Sequence, residues 1–177
     1  MPTILTQALA GATIARIAGT SPLPRALPYV AAFAAMAPDA DVAAFRWGVP
    51  YQSVLGHRGL THSLAFAIAV GLIGTCWRRI ECRVRWRVAI CLALATASHG
   101  VLDAFTNGGR GVAFLAPFSG GRFFFPVTPI EVSPIGVEAF FSARGMSVLI
   151  SEMIWVWVPL LIVNAVVRTV RVRRAPS

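Results

Sequence analysis

The stretch SVLISEMIWVWVPLLIVNAVVR, residues 147–168, carries only two charged residues, Glu152 and the closing Arg168. About 20 apolar residues in a row span the hydrocarbon core of a bilayer as a helix. Lipid offers the backbone no hydrogen-bond partners, so a spanning segment must satisfy them internally, as a helix does. Trp155 and Trp157 lie inside the run, and Pro159 predicts a kink. A chain with such a segment needs the rest of its fold in the same solvent. Residues 62–79 and 86–105 are also apolar enough to cross or nearly cross the membrane. Ahead of them, two shorter helices, about 3–18 and 26–38, are separated by the breaker GTSPLPR and form a hairpin short of full span. The expected fold is an all-α integral membrane protein of about five helices in a single domain, residues 1–177. Its parts are the hairpin 3–38, a central helix pair within 62–105, an outer loop or lid 106–146, the final transmembrane helix 147–168 and a basic tail 169–177.

Composition agrees, with 56% hydrophobic and only 13% charged residues among 177. All 16 basic residues are arginine and the net charge is +9, which in a soluble protein would suggest nucleic acid. Here the arginines flank apolar segments, so they report topology and no nucleic acid is expected. Arg78, Arg79, Arg83, Arg85 and Arg87 fill one connection, and Arg168, Arg171, Arg173 and Arg174 end the last helix. Both clusters are expected in the cytoplasm, with Arg16 and Arg25 on the same side. The segments APDAD, GHRGLTH, the end of SHGVLDAF and the loop 106–146 then fall on the outer face. That loop is rich in Gly, Pro and Phe and too long for an idle connection. Residues 111–128 can form a small β-hairpin around SGG, with a short helix near 136–143 after it. Cys76, Cys82 and Cys91 have no metal-ribbon spacing and read as reduced structural thiols. The opening segment lacks a basic region ahead of a continuous apolar core, so it is expected to stay in the mature protein.

The polar chemistry is concentrated in three motifs. Asp39 and Asp41 follow Pro38 in MAPDADV, at a helix end, where such a pair faces either a solvated turn or a site. His57 and His62 are five apart, about 140° around an ideal helix, so both address one point only if His57 precedes the helix. Thr61 is a candidate N-cap for that arrangement; the alternative is two interfacial histidines bonded to backbone. His99 and Asp103 are four apart on an apolar helix and share a face, where they can hold a metal or form a buried hydrogen bond between helices. At about 1.5 Å per residue, His99 lies about 9 Å below that helix's end, near the depth of the other motifs. Ionisable groups beside a bilayer are costly and are functional by default.

Imidazole and carboxylate without thiolate suit zinc or manganese. Six potential ligands, Asp39, Asp41, His57, His62, His99 and Asp103, exceed what one tetrahedral zinc needs and leave room for one or two ions. A two-metal centre clamps both oxygens of an in-line displacement, the chemistry of phosphoester hydrolysis. Arg58, between the histidines, either holds a substrate phosphate or carboxylate or anchors the helix at the headgroups. Asn107 and Arg110 can orient a ligand, though TNGG more simply forms a turn. Glu152 lies about a turn and a half into the last helix, where it serves the site as general base or second acceptor, or bonds another helix.

The blocks PDADVAAFRWGVPY, GHRGLTHSL, ATASHGVLDAFTNGG and PFSGGRFFFPVTPIEVSPIG, in that order, resemble the LexA-regulated, membrane-bound metal-dependent hydrolase family over essentially the whole chain. The resemblance implies a multi-pass protein of the bacterial inner membrane with a metal-dependent hydrolase activity. The order Asp, His, His-x-x-x-Asp is also similar, as a pattern only, to zinc-dependent phospholipase C and P1 nuclease. One departure stands out, because Gln7 occupies a position where the family usually has histidine. Glutamine is a poor zinc ligand, so one metal position is weakened, lost or filled by water or the chain terminus.

The expected function is therefore hydrolysis of a phosphoester in a lipid or lipid-linked substrate by metal-bound hydroxide, with membrane lipids as surroundings, Arg58 near the substrate charge and Glu152 or an aspartate taking the proton. A metal- or proton-handling transporter is the first alternative, opposed by the lack of internal repeats or paired broken helices. The second is a scaffold knotted by a structural metal or by hydrogen bonds.

Overall fold

The computed structural model describes residues 1–19, 22–77, 80–134 and 140–174. Among these residues it is all helical, with five principal helices and no strands. Helix α1 is Ile4–Ala18, with Thr3 as its N-cap and Gly19 ending it at φ 112°. Helix α2, Leu27–Met36, carries Pro28 in its first turn, where a missing N–H costs nothing. It tightens at Ala37 into a 3-10 helix, Ala37–Trp47, closed by Gly48 in the left-handed region. Helix α3 is Leu64–Ile73, prolonged by a 3-10 turn, Gly74–Cys76. Helix α4 is Cys82–Ala104. Helix α5 starts as Ala143–Glu152, widens through a π turn at Met153–Trp157 and continues as Val158–Arg174.

Several boundaries differ from those expected, each for a physical reason. Helix α4 takes in Arg83, Arg85 and Arg87, because arginine is a good helix former and its guanidinium reaches outward on a long apolar stem. The same property carries α5 to Arg174. Ser63, not Thr61, caps α3: its hydroxyl accepts from Phe66 N at 3.1 Å, while Thr61 is turned to Asp41. The kink expected at Pro159 takes the form of a π turn just ahead of it. A proline clashes with the carbonyl four residues back, here Trp155, and an extra residue in the turn relieves the clash. In the loop after α4, Val112 and Phe123 exchange both backbone hydrogen bonds as one antiparallel bridge, at 2.9 and 3.0 Å. Most of the short helix expected near 136–143 lies outside the described residues.

Among the described residues, only α4 and α5 are long and apolar enough to cross a membrane. More than half of α4's apolar window (56%) is buried in protein against 17% for α5, so α4 is the central pillar and α5 a peripheral helix facing lipid. Around α4 pack the α1–α2 hairpin and α3, through a core of Leu27, Ala31, Ala35, Val88, Leu92 and Ala95. Alanine is the commonest residue in this core, as suits helices that gain little from expelling lipid. At Gly11 an added Cβ would lie 2.4 Å from the Ala31 carbonyl oxygen, and at Gly71 2.7 Å from that of Ala89. Backbone therefore meets backbone at both crossings, closing the α1–α2 hairpin at Gly11 and drawing α3 against α4 at Gly71.

Gly11→Ala is expected to lower stability by roughly 1–3 kcal/mol through overpacking, read as a fall in Tm in detergent. Gly120, with open space around it, should accept alanine with a change under about 0.5 kcal/mol.

Candidate metal centre

Where α2 runs into Pro38, the chain tightens instead of stopping, and the 3-10 helix brings Asp39 and Asp41 over the C-terminal end of α4. The segment 56–63 folds back beneath them, and α4 supplies His99 and Asp103 from one face. All three histidines and Asp41 and Asp103 are buried.

The imidazoles are held from behind. His99 Nδ1 lies 2.7 Å from the Ala35 carbonyl oxygen. A carbonyl can only accept, so Nδ1 carries the proton and Nε2 presents its lone pair. His57 Nδ1 is 2.7 Å from Asp41 Oδ1, and His62 Nδ1 is 3.3 Å from Asp41 Oδ2. The Thr61 hydroxyl donates to that same Oδ2 at 2.6 Å. Asp41 thus orients two rings at once, the carboxylate–imidazole pairing that fixes the tautomer of a metal-ligating histidine.

The front edges converge. His62 Nε2 and His99 Nε2 are 3.0 Å apart. His99 Nε2 is 3.2 Å from Asp39 Oδ1, and His62 Nε2 is 3.5 Å from Asp103 Oδ2 and 3.7 Å from Asp39 Oδ1. Beyond these imidazole contacts and the Arg58 Nε beside Asp103 Oδ2, the carboxylate oxygens of Asp39 and Asp103 have no hydrogen-bond partner. Two facing lone pairs are satisfied only by a shared cation or a shared proton. Two ligands at 2.0–2.1 Å from one tetrahedral zinc stand about 3.3 Å apart, close to the separations here. The donor set, two imidazole nitrogens and two carboxylates, fits a divalent cation. A second triad, Asp39, His57 and His62, also brings ligand atoms within 4.8 Å and shares His62 with His62, His99 and Asp103.

Electrostatics favour charge at this point. Burial pushes the Asp39 carboxyl up, but the imidazoles of His62 and His99 outweigh it and hold it down to about 2. Burial likewise raises Asp41, and His57 and His62 pull it below the usual carboxylate range. For His62 burial acts downward, yet the carboxylates of Asp103, Asp39 and Asp41 raise it to about 10.

Arg58 is buried, with backbone φ of 61°, an uncommon conformation for a side chain with a Cβ. Its Nη1 donates to Gly108 O at 2.9 Å and its Nη2 to Thr106 Oγ1 at 3.1 Å, while Nε lies 3.0 Å from Asp103 Oδ2. The guanidinium thus sets Asp103 and the turn after α4. Arg122, not singled out in the sequence, donates to the carbonyls of His57 at 3.1 Å and Tyr51 at 3.0 Å and clamps the histidine loop. Backbone acceptors leave no trace in a sequence, so only its setting in SGGR marked it. Glu152 is buried away from solvent, and its carboxylate accepts from Thr3 N and from the hydroxyls of Thr3 and Thr6, both at 2.6 Å. These bonds tie α5 to the start of α1. Asn107 accepts from Val132 N at 3.0 Å, a turn role, and Arg110 is exposed. Gln7 is fully buried in α1 with neither amide atom hydrogen-bonded.

Cation and proton compete for His62 Nε2, so binding must release a proton at neutral pH. Zinc or manganese affinity is expected to weaken by up to about tenfold per unit as pH falls from 8 to 6, as isothermal titration in buffers of different ionisation enthalpy would measure. A pH-independent affinity would exclude His62 as a ligand. Arg122→Ala should free the loop and speed amide exchange over residues 51–58, without unfolding α4.

No solved structure matches this chain. The inner membrane protein YbcI of Escherichia coli (strain K12) is 41% identical over 163 residues, covering 90% of this chain and 92% of the relative. A family model described as YdjM inner membrane protein matches residues 1–175, which include all five helices and every residue of the centre. Both matches agree on a place in the bacterial inner membrane, and the chain belongs to the YdjM inner membrane protein family.

Proposed function

We propose that this chain is a metal-dependent hydrolase of the inner membrane that cleaves a phosphoester in a lipid or lipid-linked substrate, with its centre toward the outer face and its arginine-rich ends cytoplasmic. One observation carries the reading: His62 and His99 turn their Nε2 atoms to one point 3.0 Å apart, with Asp39 and Asp103 beside them and their Nδ1 atoms held from behind. The resemblance of the His and Asp blocks to membrane-bound metal-dependent hydrolases supports it. A cation bound there activates water and offsets phosphoester charge.

The chain's own residues then have separate tasks. Asp39, Asp103, His62 and His99 hold the cation, and Asp41 and Arg58 hold the ligands. His57 leans on Asp41 and lines a cavity of about 190 Å³ together with Tyr51, Arg58, Gly109 and Val132. In this reading His57 accepts a proton from water and returns it to the leaving group. A neighbouring groove of about 360 Å³, sharing Ser133, is walled by Ile4, Leu5, Pro134, Phe140 and Phe141 and suits an acyl chain. The orphaned amide of Gln7 and the near-complete burial of the centre favour a second reading, a structural knot.

Metal content by plasma mass spectrometry, with turnover of a panel of lipid phosphoesters, separates them. Wild type should carry one or two equivalents of zinc or manganese. His99→Ala and Asp103→Asn should lose the metal and at least about 100-fold of turnover while keeping a helical fold. A metal-free wild type after incubation with excess ions sinks the hydrolase; bound metal without turnover supports the knot.

A further inference from the structure

The opposite end of the bundle holds a second feature. Helices α1 and α5 diverge there around a cavity of about 490 Å³, lined by Arg16, Asn164, Arg168 and Arg171 with Val167 and Val172. Arg171 is committed to the protein: its two Nη atoms donate to the carbonyls of Arg16 and Ile17 at 2.7 and 2.8 Å, capping the C-terminus of α1. Arg87 of α4 caps the same terminus from the other flank, donating to Ala18 O at 3.2 Å. Asn164 forms the floor, its amide donating to Thr13 Oγ1 at 2.9 Å.

Arg16 and Arg168 have no such duty. Among the described residues no carboxylate pairs with either side chain. Three guanidinium groups from two helices therefore share one cavity with no counter-charge among the described residues, and an entering anion relieves their mutual repulsion. Arg168 lies six residues before the end of α5, about 9 Å along the axis, a depth that matches lipid headgroups. Toward the bilayer centre the lining gives way to an apolar face of α5, where Leu161 lies exposed about two turns from Arg168 on the same side. A basic pocket opening onto an apolar helix face has the two-part chemistry of a phospholipid, and such pockets between helices bind anionic headgroups. The lack of a lining carboxylate leaves nothing for the ammonium of a zwitterionic headgroup to meet.

We propose that this cavity is a binding site for an anionic phospholipid, with Arg16 and Arg168 on its phosphate and an acyl chain along α5. The site stands apart from the metal centre and does not rest on the hydrolase reading.

The test is native mass spectrometry and thermal unfolding of the full chain in neutral detergent, with added phosphatidylglycerol, phosphatidylcholine or inorganic phosphate. Phosphatidylglycerol should bind one per chain and raise Tm, and phosphatidylcholine should do neither. Arg16→Gln with Arg168→Gln should weaken phosphatidylglycerol binding by roughly fivefold for each arginine removed. Arg168→Gln alone gives the same readout if the double variant folds poorly, since its side chain pairs with no carboxylate among the described residues. Equal binding of the two lipids, a Tm rise with inorganic phosphate alone, or undiminished affinity in the variants would overturn the proposal.

Discussion

The structure depends on one constraint: charges brought out of water must be met by other charges. Asp41, Asp103, the three imidazoles and Arg58 are all buried at one end of a membrane helix, with Asp39 at their edge. An isolated charge there would cost several kcal/mol, so the residues occur as a network. Asp41 serves two imidazoles, Arg58 serves Asp103, and the Ala35 carbonyl serves His99. What remains unserved is the inner edge, two imidazole nitrogens, the oxygens of Asp39 and Oδ1 of Asp103. The network is finished everywhere except where a cation or proton would sit.

That geometry requires short elements. Helix α2 has 10 residues, as does α3 before its 3-10 extension, about 15 Å each, half of what a spanning helix needs. Their shortness lets the 39–63 segment dip toward α4 instead of arching over the bundle. Close approach at Gly71 lets α3 lean on the central helix, and close approach at Gly11 holds α1 and α2 together as one hairpin beside it. The strained backbone at Arg58, costing about 1–3 kcal/mol, is offset by the contacts its guanidinium makes on the far side of the turn.

Much of this is legible in the sequence. The apolar runs define the helices, and the four-residue spacing of His99 and Asp103 places both on one face, where the structure has them. The His57 to His62 spacing requires the first to precede the helix, and it does. Other features are not legible, because their partners are backbone atoms. The Ala35 carbonyl that sets the His99 tautomer and the carbonyls that Arg122 grips could belong to any residue type. The start of α4 misleads for another reason: charge suggests a loop, while helix formation asks only for backbone bonding, which arginine permits. At Pro159 a kink is legible, but the form it takes depends on how α5 packs.

The bond between Glu152 and Thr3 bears on the order in which the protein is made. Its partners are 149 residues apart, so the start of α1 has no carboxylate to meet until the final helix leaves the ribosome. Every ligand of the centre lies between residues 39 and 103, within the part synthesised earlier. The centre can therefore assemble on a four-helix intermediate, and arrival of α5 closes the bundle like a last stave, setting Glu152 over a helix terminus that until then only lipid headgroups or water could serve.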